Sequence, residues 1–284
     1  MKIRVGVMLC WLAVWGCVFT GSAWATDDAF SRYATAYEQF KQARDAAAAG
    51  TSQGKAASAV NFTGSWSSNS QYIATAKVVD DNGSLKGIVK VPNGSSYDLY
   101  HFSGFYYNGT IYLGHFSTSG RQLFIGTSSG TTVTGDLTLY DTSNAFLGRL
   151  TGIVLTQDIA QGSLVSSVSL SGNWGATAQS VKAQGTMAAT TVSSVGETVS
   201  SLTGVANVFY TATAAPYHFL GYMRNNGEVF LYNTNGTDAR TLLGTYADGK
   251  ITGLLEQDAV TVNDGTAASR LVFPLSVIML MDQQ

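Results

Sequence analysis

The chain has 284 residues, of which only 12% are charged, with 16 Lys and Arg set against 18 Asp and Glu. That balance argues against a nucleic-acid binder, because phosphate contacts need clustered Lys and Arg. Ser, Thr, Asn and Gly take the place of charge, a composition common in extracellular β proteins.

Lys2 and Arg4 precede an apolar run from Val5 to about Phe19, followed by Gly21-Ser22-Ala23-Trp24-Ala25. A basic start, a short apolar core and an A-x-A ending predict a signal peptide over residues 1–25. A second reading is a lipoprotein anchored at Cys17, with Val14-Trp15-Gly16-Cys17 as lipobox, although Trp15 is awkward there. Cleavage after Ala25 removes both cysteines, Cys10 and Cys17, so the mature chain has no disulfide, thiolate nucleophile or cysteine metal site. No later segment reaches the ~20 apolar residues of a transmembrane helix.

Residues 26–50 predict a helix, in which Phe30, Tyr33, Tyr37 and Phe40 share one face at three- and four-residue steps. Asp27 and Asp28 suit its positive end and Gly50 its stop. The aromatic face either packs on the chain's own barrel, the favoured reading, or forms a short seam for self-association. Residues 51–60 are a Gly/Ser/Ala-rich linker without apolar period.

From Asn61 onward the period changes to two. Asn-Gly stands at 82–83, 93–94, 108–109, 226–227 and 235–236, and Asp-Gly at 248–249 and 264–265. Both dipeptides accept the positive φ values of type I′ hairpin turns. Phe105-Tyr106-Tyr107, Asn108-Gly109 and Thr110-Ile111-Tyr112 form the clearest hairpin. Tight turns make consecutive strands antiparallel neighbours.

The strand region is a duplication. Phe62-Thr63-Gly64-Ser65-Trp66 and Leu170-Ser171-Gly172-Asn173-Trp174 are one pattern written twice. Ile111–Thr127 aligns without a gap to His218–Thr234, and Val133-Thr134-Gly135 answers Ile251-Thr252-Gly253. The copies are assigned to 61–158 and 168–284, joined by 159–167, each with room for roughly seven to eight strands. The predicted fold class is all-β with an N-terminal α-helix: two tandem antiparallel up-and-down barrels, or barrel-like sandwiches, of about eight strands each. A single sixteen-strand outer-membrane barrel is the outlying alternative, since it needs lipid-facing alternation in every strand.

The Gly-x-Trp start, followed by Asp81-Asn82-Gly83-Ser84-Leu85-Lys86-Gly87, resembles the opening strands of calycin barrels such as lipocalins and avidins. The resemblance implies that Trp66 and Trp174 are core residues plugging one end of an eight-strand barrel. It covers two strands in the first copy and one in the second, and it transfers no ligand.

Catalytic motifs are scarce. Neither Gly-x-Ser-x-Gly nor His-Glu-x-x-His occurs, and Gly50-Thr51-Ser52-Gln53-Gly54-Lys55 only mimics a phosphate loop. The alignment sets His115 against Tyr222 and His218 against Ile111, so no histidine is shared between the copies. Asp80-Asp81-Asn82-Gly83-Ser84 gathers oxygen ligands, as calcium sites do, but a hairpin turn explains it equally well. Tyr97, Tyr100, Phe102, Phe105, Tyr106, Tyr107 and Tyr112 crowd into one stretch, with Tyr100, Phe102 and Tyr106 on one strand face and Phe105 and Tyr107 on the other.

The expectation is an exported, non-enzymatic envelope or extracellular protein of a Gram-negative cell, periplasmic or secreted. It binds an unknown small ligand or envelope partner, or serves a structural role. The candidate ligand-binding residues are Tyr100, Phe102, Tyr106, His115 and His218; neither a metal nor a cofactor is assigned. The alternatives are a carboxylate-dependent hydrolase, recognisable by a pair of desolvated carboxylates facing each other in one cleft, and the outer-membrane barrel.

Overall fold

Strand period and turn chemistry produce two barrels in a row. The computed structural model describes residues 29–50, 60–70, 73, 75–94, 96–117, 120–178, 181–209, 214–234, 238–259 and 271–280. The predicted leader, Asp27 and Asp28, the linker at 51–59 and the turns at 235–236 and 264–265 lie outside these residues.

Helix α1 (Ala29–Ala48) is followed by β1 (Gly64–Ser68), β2 (Thr75–Asp81), β3 (Ser84–Asn93), β4 (Ser96–Tyr107), β5 (Thr110–Ser117), β6 (Gly120–Ser129), β7 (Thr132–Tyr140) and β8 (Phe146–Asp158). These eight strands pair in sequence order, and β8 returns to β1 to close an antiparallel barrel. A helical turn, α2 (Ser167–Leu170), leads into β9 (Gly172–Ala178), β10 (Val181–Ser193), β11 (Thr198–Phe209), β12 (Ala214–Met223), β13 (Glu228–Thr234), β14 (Asp238–Ala247), β15 (Lys250–Ala259) and β16 (Leu271–Leu280). Strands β9 to β15 form a curled antiparallel ladder, and β16 bonds to both β15 and β9, closing it. Closure leaves no free sheet edge in either unit. A single sixteen-strand barrel is therefore not formed, because the chain closes twice.

Asn82-Gly83, Asn108-Gly109 and Asp248-Gly249 all hold φ between +49° and +83° at both positions, the backbone of a type I′ turn. Asn226 is different: it sits in a longer loop from Arg224 to Gly227, in which the Gly227 N–H donates to the Arg224 carbonyl. The insertion of one residue relative to Asn108-Gly109 is what relaxes the turn.

The paired tryptophans are built alike. Trp66 Nε1 donates to the Phe62 carbonyl at 3.1 Å and Trp174 Nε1 to the Leu170 carbonyl at 3.0 Å. Gly64 and Gly172 start their strands at φ +146° and +141°, which a side chain would strain. The preceding hydroxyls also match: Thr63 Oγ1 accepts from the Asp80 N–H and Ser171 Oγ from the Ala189 N–H, each at 3.0 Å. Around Trp66 the first barrel is filled by Phe62, Val78, Leu85, Phe102, Ile111, Phe124 and Ile153; around Trp174 the second is filled by Met187, Leu202, Met223, Val229, Leu242 and Ile251.

One expectation is met and one needs correction. The predicted helix is confirmed over Ala29–Ala48, and Phe30, Tyr33 and Phe40 pack on the outside of β4 to β7 against Phe105, Tyr112, Leu123 and Tyr140. Phe40 stacks on Phe105 with ring centroids 5.1 Å apart. The aromatic face thus lies on the chain's own barrel. The gapless alignment of Ile111–Thr127 with His218–Thr234, however, is out by one strand. It sets β5 and β6, the fifth and sixth of their barrel, against β12 and β13, the fourth and fifth of theirs. Successive hairpins of a meander share period, apolar alternation and a turn glycine, so a slip by one hairpin preserves most of the pattern. In the correct frame Tyr100-His101-Phe102-Ser103-Gly104-Phe105 of β4 matches Tyr217-His218-Phe219-Leu220-Gly221-Tyr222 of β12. A histidine position is therefore shared, between His101 and His218.

The glycines of this motif are close-approach positions. A Cβ on Gly104 would lie 1.9 Å from the Tyr112 carbonyl oxygen, and one on Gly221 would lie 2.1 Å from that of Phe230. Backbone must move to admit a methyl group, so Gly104→Ala and Gly221→Ala are each expected to destabilise by ~1–3 kcal/mol. Denaturant midpoints check this, and a wild-type midpoint in either variant would count against the shared geometry.

Asp80 serves the turn rather than a cation. Its Oδ1 accepts from the Gly83 N–H at 2.7 Å and its Oδ2 from the Phe62 N–H at 2.9 Å. Burial pushes its pKa up to about 6, against the pull of those two N–H groups. The folded form therefore keeps a proton that the unfolded chain sheds near pH 4. Stability from this group is greatest below pH 4 and falls as pH rises to about 6, by roughly 3 kcal/mol. Asp80→Asn is expected to remove that slope from a series of denaturation midpoints between pH 4 and 7.

Candidate functional site

Inward-facing residues of β4 are Tyr100, Phe102, Gly104 and Tyr106, and those of β5 are Ile111, Leu113 and His115. Four of the five candidate ligand residues therefore point into the first barrel. Phe102 is part of its core and Tyr106 packs on Phe62 at 4.8 Å. Tyr100 and His115 form the next layer, edge to face at 5.2 Å, with His115 Nδ1 2.6 Å from the His101 carbonyl oxygen. Burial holds the His115 pKa below its usual value despite that carbonyl, and burial together with Asp98 raises that of Tyr100.

His218, the fifth candidate, is not with the others. It stands exposed on the outer face of β12, paired with Val205. Its carbonyl accepts from Asn233 Nδ2, as that of His101 meets His115. Asn233 is the counterpart of His115, and Tyr217, the counterpart of Tyr100, lies under the Arg240 guanidinium at 4.0 Å. Each barrel thus repeats one layer: a Tyr ring, and a side-chain nitrogen on the carbonyl of the shared histidine. This layer braces β4 to β5 and β12 to β13, which is a packing role common to both copies.

Charged chemistry gathers instead at the seam between the barrels. The apolar part of the seam sets Val79 and Ile88, from the outside of β2 and β3, against Val199, Tyr222, Phe230 and Tyr232 of the second barrel. Beside it, Glu228 Oε1 takes hydrogen bonds from Lys77 Nζ at 2.5 Å, Ser65 Oγ at 2.6 Å and the Tyr222 hydroxyl at 3.2 Å. Arg224 bridges two carboxylates, with Nε 2.9 Å from Glu197 Oε1 and Nη1 3.0 Å from Glu228 Oε2. Its Nη2 donates to the Asp158 carbonyl, and the Ala160 N–H donates to Glu197 Oε2 at 3.2 Å. First barrel, linker and second barrel meet in this one cluster.

The two carboxylates diverge electrostatically. Burial would raise both, but for Glu228 the nearby Lys77 ammonium, the Ser65 hydroxyl and Arg224 outweigh it, so its pKa lies below the usual value. For Glu197 burial wins over Arg224 and the pKa is raised. Tyr222 is held well above its usual range by burial and by Glu228. Ser65 beside Lys77 has the form of a nucleophile with its base, at 2.7 Å. Ser65 is only 1% exposed, however, and its hydroxyl proton points at Glu228. Nor do Glu197 and Glu228 face each other across open space, since Arg224 lies between them. The arrangement can clamp, and it cannot present a nucleophile. A groove of about 410 Å³ runs past it, lined by Lys77, Lys90, Glu228, Leu243, Thr245 and Thr252.

Sequence reasoning missed the cluster because its members come from five separate segments. The available signal was charge in a charge-poor chain: Lys77 flanked by Ala76 and Val78, and Arg224 with Glu228 around a turn.

No family model matches the chain, and no curated protein matches it. Among solved structures, the crystal structure of a DUF3598-family protein of unknown function from Nostoc punctiforme PCC 73102 aligns over 78% of this chain and 96% of its own. The identity is 9% and the TM-score 0.19, so that likeness carries no argument.

Proposed function

We propose that this chain is an exported, non-catalytic envelope or extracellular protein that acts by binding or structure through its outer surfaces. The observation that supports this best is the saturation of its most reactive-looking group: Ser65 is buried and held by Lys77, Glu228 and Tyr222. The barrel interiors point the same way, because among the described residues Trp66 and Trp174 are each packed by buried apolar side chains. Both barrels also hold apolar cores, whereas the lumen of a membrane-embedded pore is polar.

Produced with its own leader in a Gram-negative host, the protein is expected in the periplasm or medium with a mass that starts at Thr26. Native mass spectrometry of protein from its source envelope is expected to retain the ligand or partner. Recovery only from the cytoplasm overturns the exported reading. A hydrolytic activity abolished by Glu228→Gln, with the fold intact, overturns the non-catalytic one.

A further inference from the structure

Beside its apolar contact the seam is pinned at two points and open between them. At one, Lys77 Nζ of β2 meets Glu228 Oε1 of β13 at 2.5 Å. At the other, the Tyr97 hydroxyl of β4 donates to Glu256 Oε1 of β15 at 3.3 Å. Strand register places Lys90 between them. Lys90 of β3 pairs with Thr75, two residues before Lys77, and with Leu99, two residues after Tyr97. Paired residues and alternate residues project to the same side of a sheet, so Lys77, Lys90 and Tyr97 share the outer face of the first barrel. The second barrel answers with three rows. Glu228 pairs with Thr245, and Thr245 with Thr252; Leu243 pairs with Leu254; Thr241 pairs with Glu256. The first row is fixed to Lys77 and the third to Tyr97, which leaves the leucine row level with Lys90. Lys90 and Leu243 accordingly border the same groove of about 410 Å³, and Leu254, 45% exposed, extends its apolar side.

Charge selects the ligand. Lys77 is balanced by Glu228, whereas Lys90 Nζ stands 4.3 Å from the centroid of the Tyr97 ring and, among the described residues, meets no carboxylate. A ring face holds an ammonium group without neutralising it. The lining therefore carries two ammonium groups against one carboxylate, an excess of a single positive charge. A carboxylate matches that excess, and a doubly charged phosphate monoester exceeds it. The remaining lining is specific in kind: hydroxyls of Thr245 and Thr252 in one row, leucine in the next. The groove lies where two domains meet and falls within the ~300–1,000 Å³ of small-molecule sites.

We propose that this groove binds a small monocarboxylate with a polar middle and a branched apolar end, the chemistry of an N-acyl amino acid. The carboxylate meets Lys90, the amide the Thr245 and Thr252 hydroxyls, and the side chain Leu243 and Leu254. The proposal rests on the binding reading above, and it is tested by titration, so it fails or stands separately from export and from hydrolysis. Isothermal titration of the chain from Thr26 with N-acetyl-leucine is expected to show saturable binding at a single site. N-acetyl-leucinamide, which lacks the negative charge, is expected to bind about tenfold more weakly. Lys90→Met is expected to weaken binding of the acid about tenfold and to remove its advantage over the amide, with unchanged circular dichroism. Lys86→Met, on the same face of β3 but outside the lining, is expected to bind both like the wild type. Absence of saturable binding, or equal affinity of the wild type for acid and amide, overturns the proposal whether or not Lys90→Met folds. A folded Lys90→Met that keeps the preference for the acid overturns it as well.

Discussion

Arg224→Met is expected to lower stability by about 3–5 kcal/mol, because it removes the one cation that, among the described residues, bonds to the Glu197 carboxylate in the interior of the seam. The side chains of Glu197 and Arg224 are 1% and 4% exposed. Water cannot replace the guanidinium there, so the unpaired carboxylate must take up a proton or the seam must open. Either outcome shows up as a lower denaturant midpoint. The penalty belongs to the orphaned charge, and that makes the experiment sharper. Glu197→Leu in the same chain is expected to restore much of the loss, since replacing a whole buried pair by apolar groups is often close to neutral. Full stability in Arg224→Met alone would show that the cluster is not what holds the barrels together. Lys77→Met tests the rim of the same network. Its loss should be smaller, because Glu228 is half-buried and keeps Arg224, Ser65 and Tyr222.

The local parts of the fold were legible because they depend on neighbours in sequence. Asn108-Gly109 sets a turn through its own φ preferences, and Gly64-Ser65-Trp66 sets a strand start through one glycine and one hydrogen bond back to Phe62. The helix face of Phe30, Tyr33 and Phe40 needed only a period of 3.6. The strand register between copies was harder. Tyr-His-Phe-x-Gly recurs at Tyr100 and Tyr217, but two consecutive hairpins look alike, and the alignment that avoided a gap hid the motif. The seam was not legible at all. Ser65, Lys77, Glu197, Arg224 and Glu228 come together only once two barrels have closed and packed, so no spacing along the chain encodes their meeting. The duplicated outer face illustrates the point further. Phe105 and Tyr112 of the first copy lie under α1, whereas their counterparts Tyr222 and Phe230 lie under the first barrel. Equivalent residues received different covers, and the seam hydroxyl at Tyr222, absent from Phe105, is what the second cover required.

Trp66→Ala and Trp174→Ala are each expected to cost ~3–5 kcal/mol, the usual range for truncating a buried large aromatic. Each indole is buried, and each also satisfies a carbonyl just ahead of the first strand of its barrel. Removal therefore opens a cavity and leaves Phe62 or Leu170 with an unmet acceptor. The consequence for the other barrel is set by the seam. Val79 and Ile88 of the first barrel cover Tyr222 and Phe230 of the second, and Val195 of the second packs on the core of the first. A first barrel weakened by Trp66→Ala uncovers that face, so the second barrel should become less stable as well. The chain supplies its own reporter once residues 1–25 are removed, because only these two tryptophans remain. In Trp66→Ala the surviving fluorescence comes from Trp174, inside the barrel that was not altered. A shift of its midpoint to lower denaturant demonstrates coupling through the seam. A Trp174 midpoint that stays at the wild-type value, while circular dichroism shows the first barrel unfolding early, would mean that the barrels fold independently. Wild-type transitions in both variants would show that neither tryptophan holds its barrel closed.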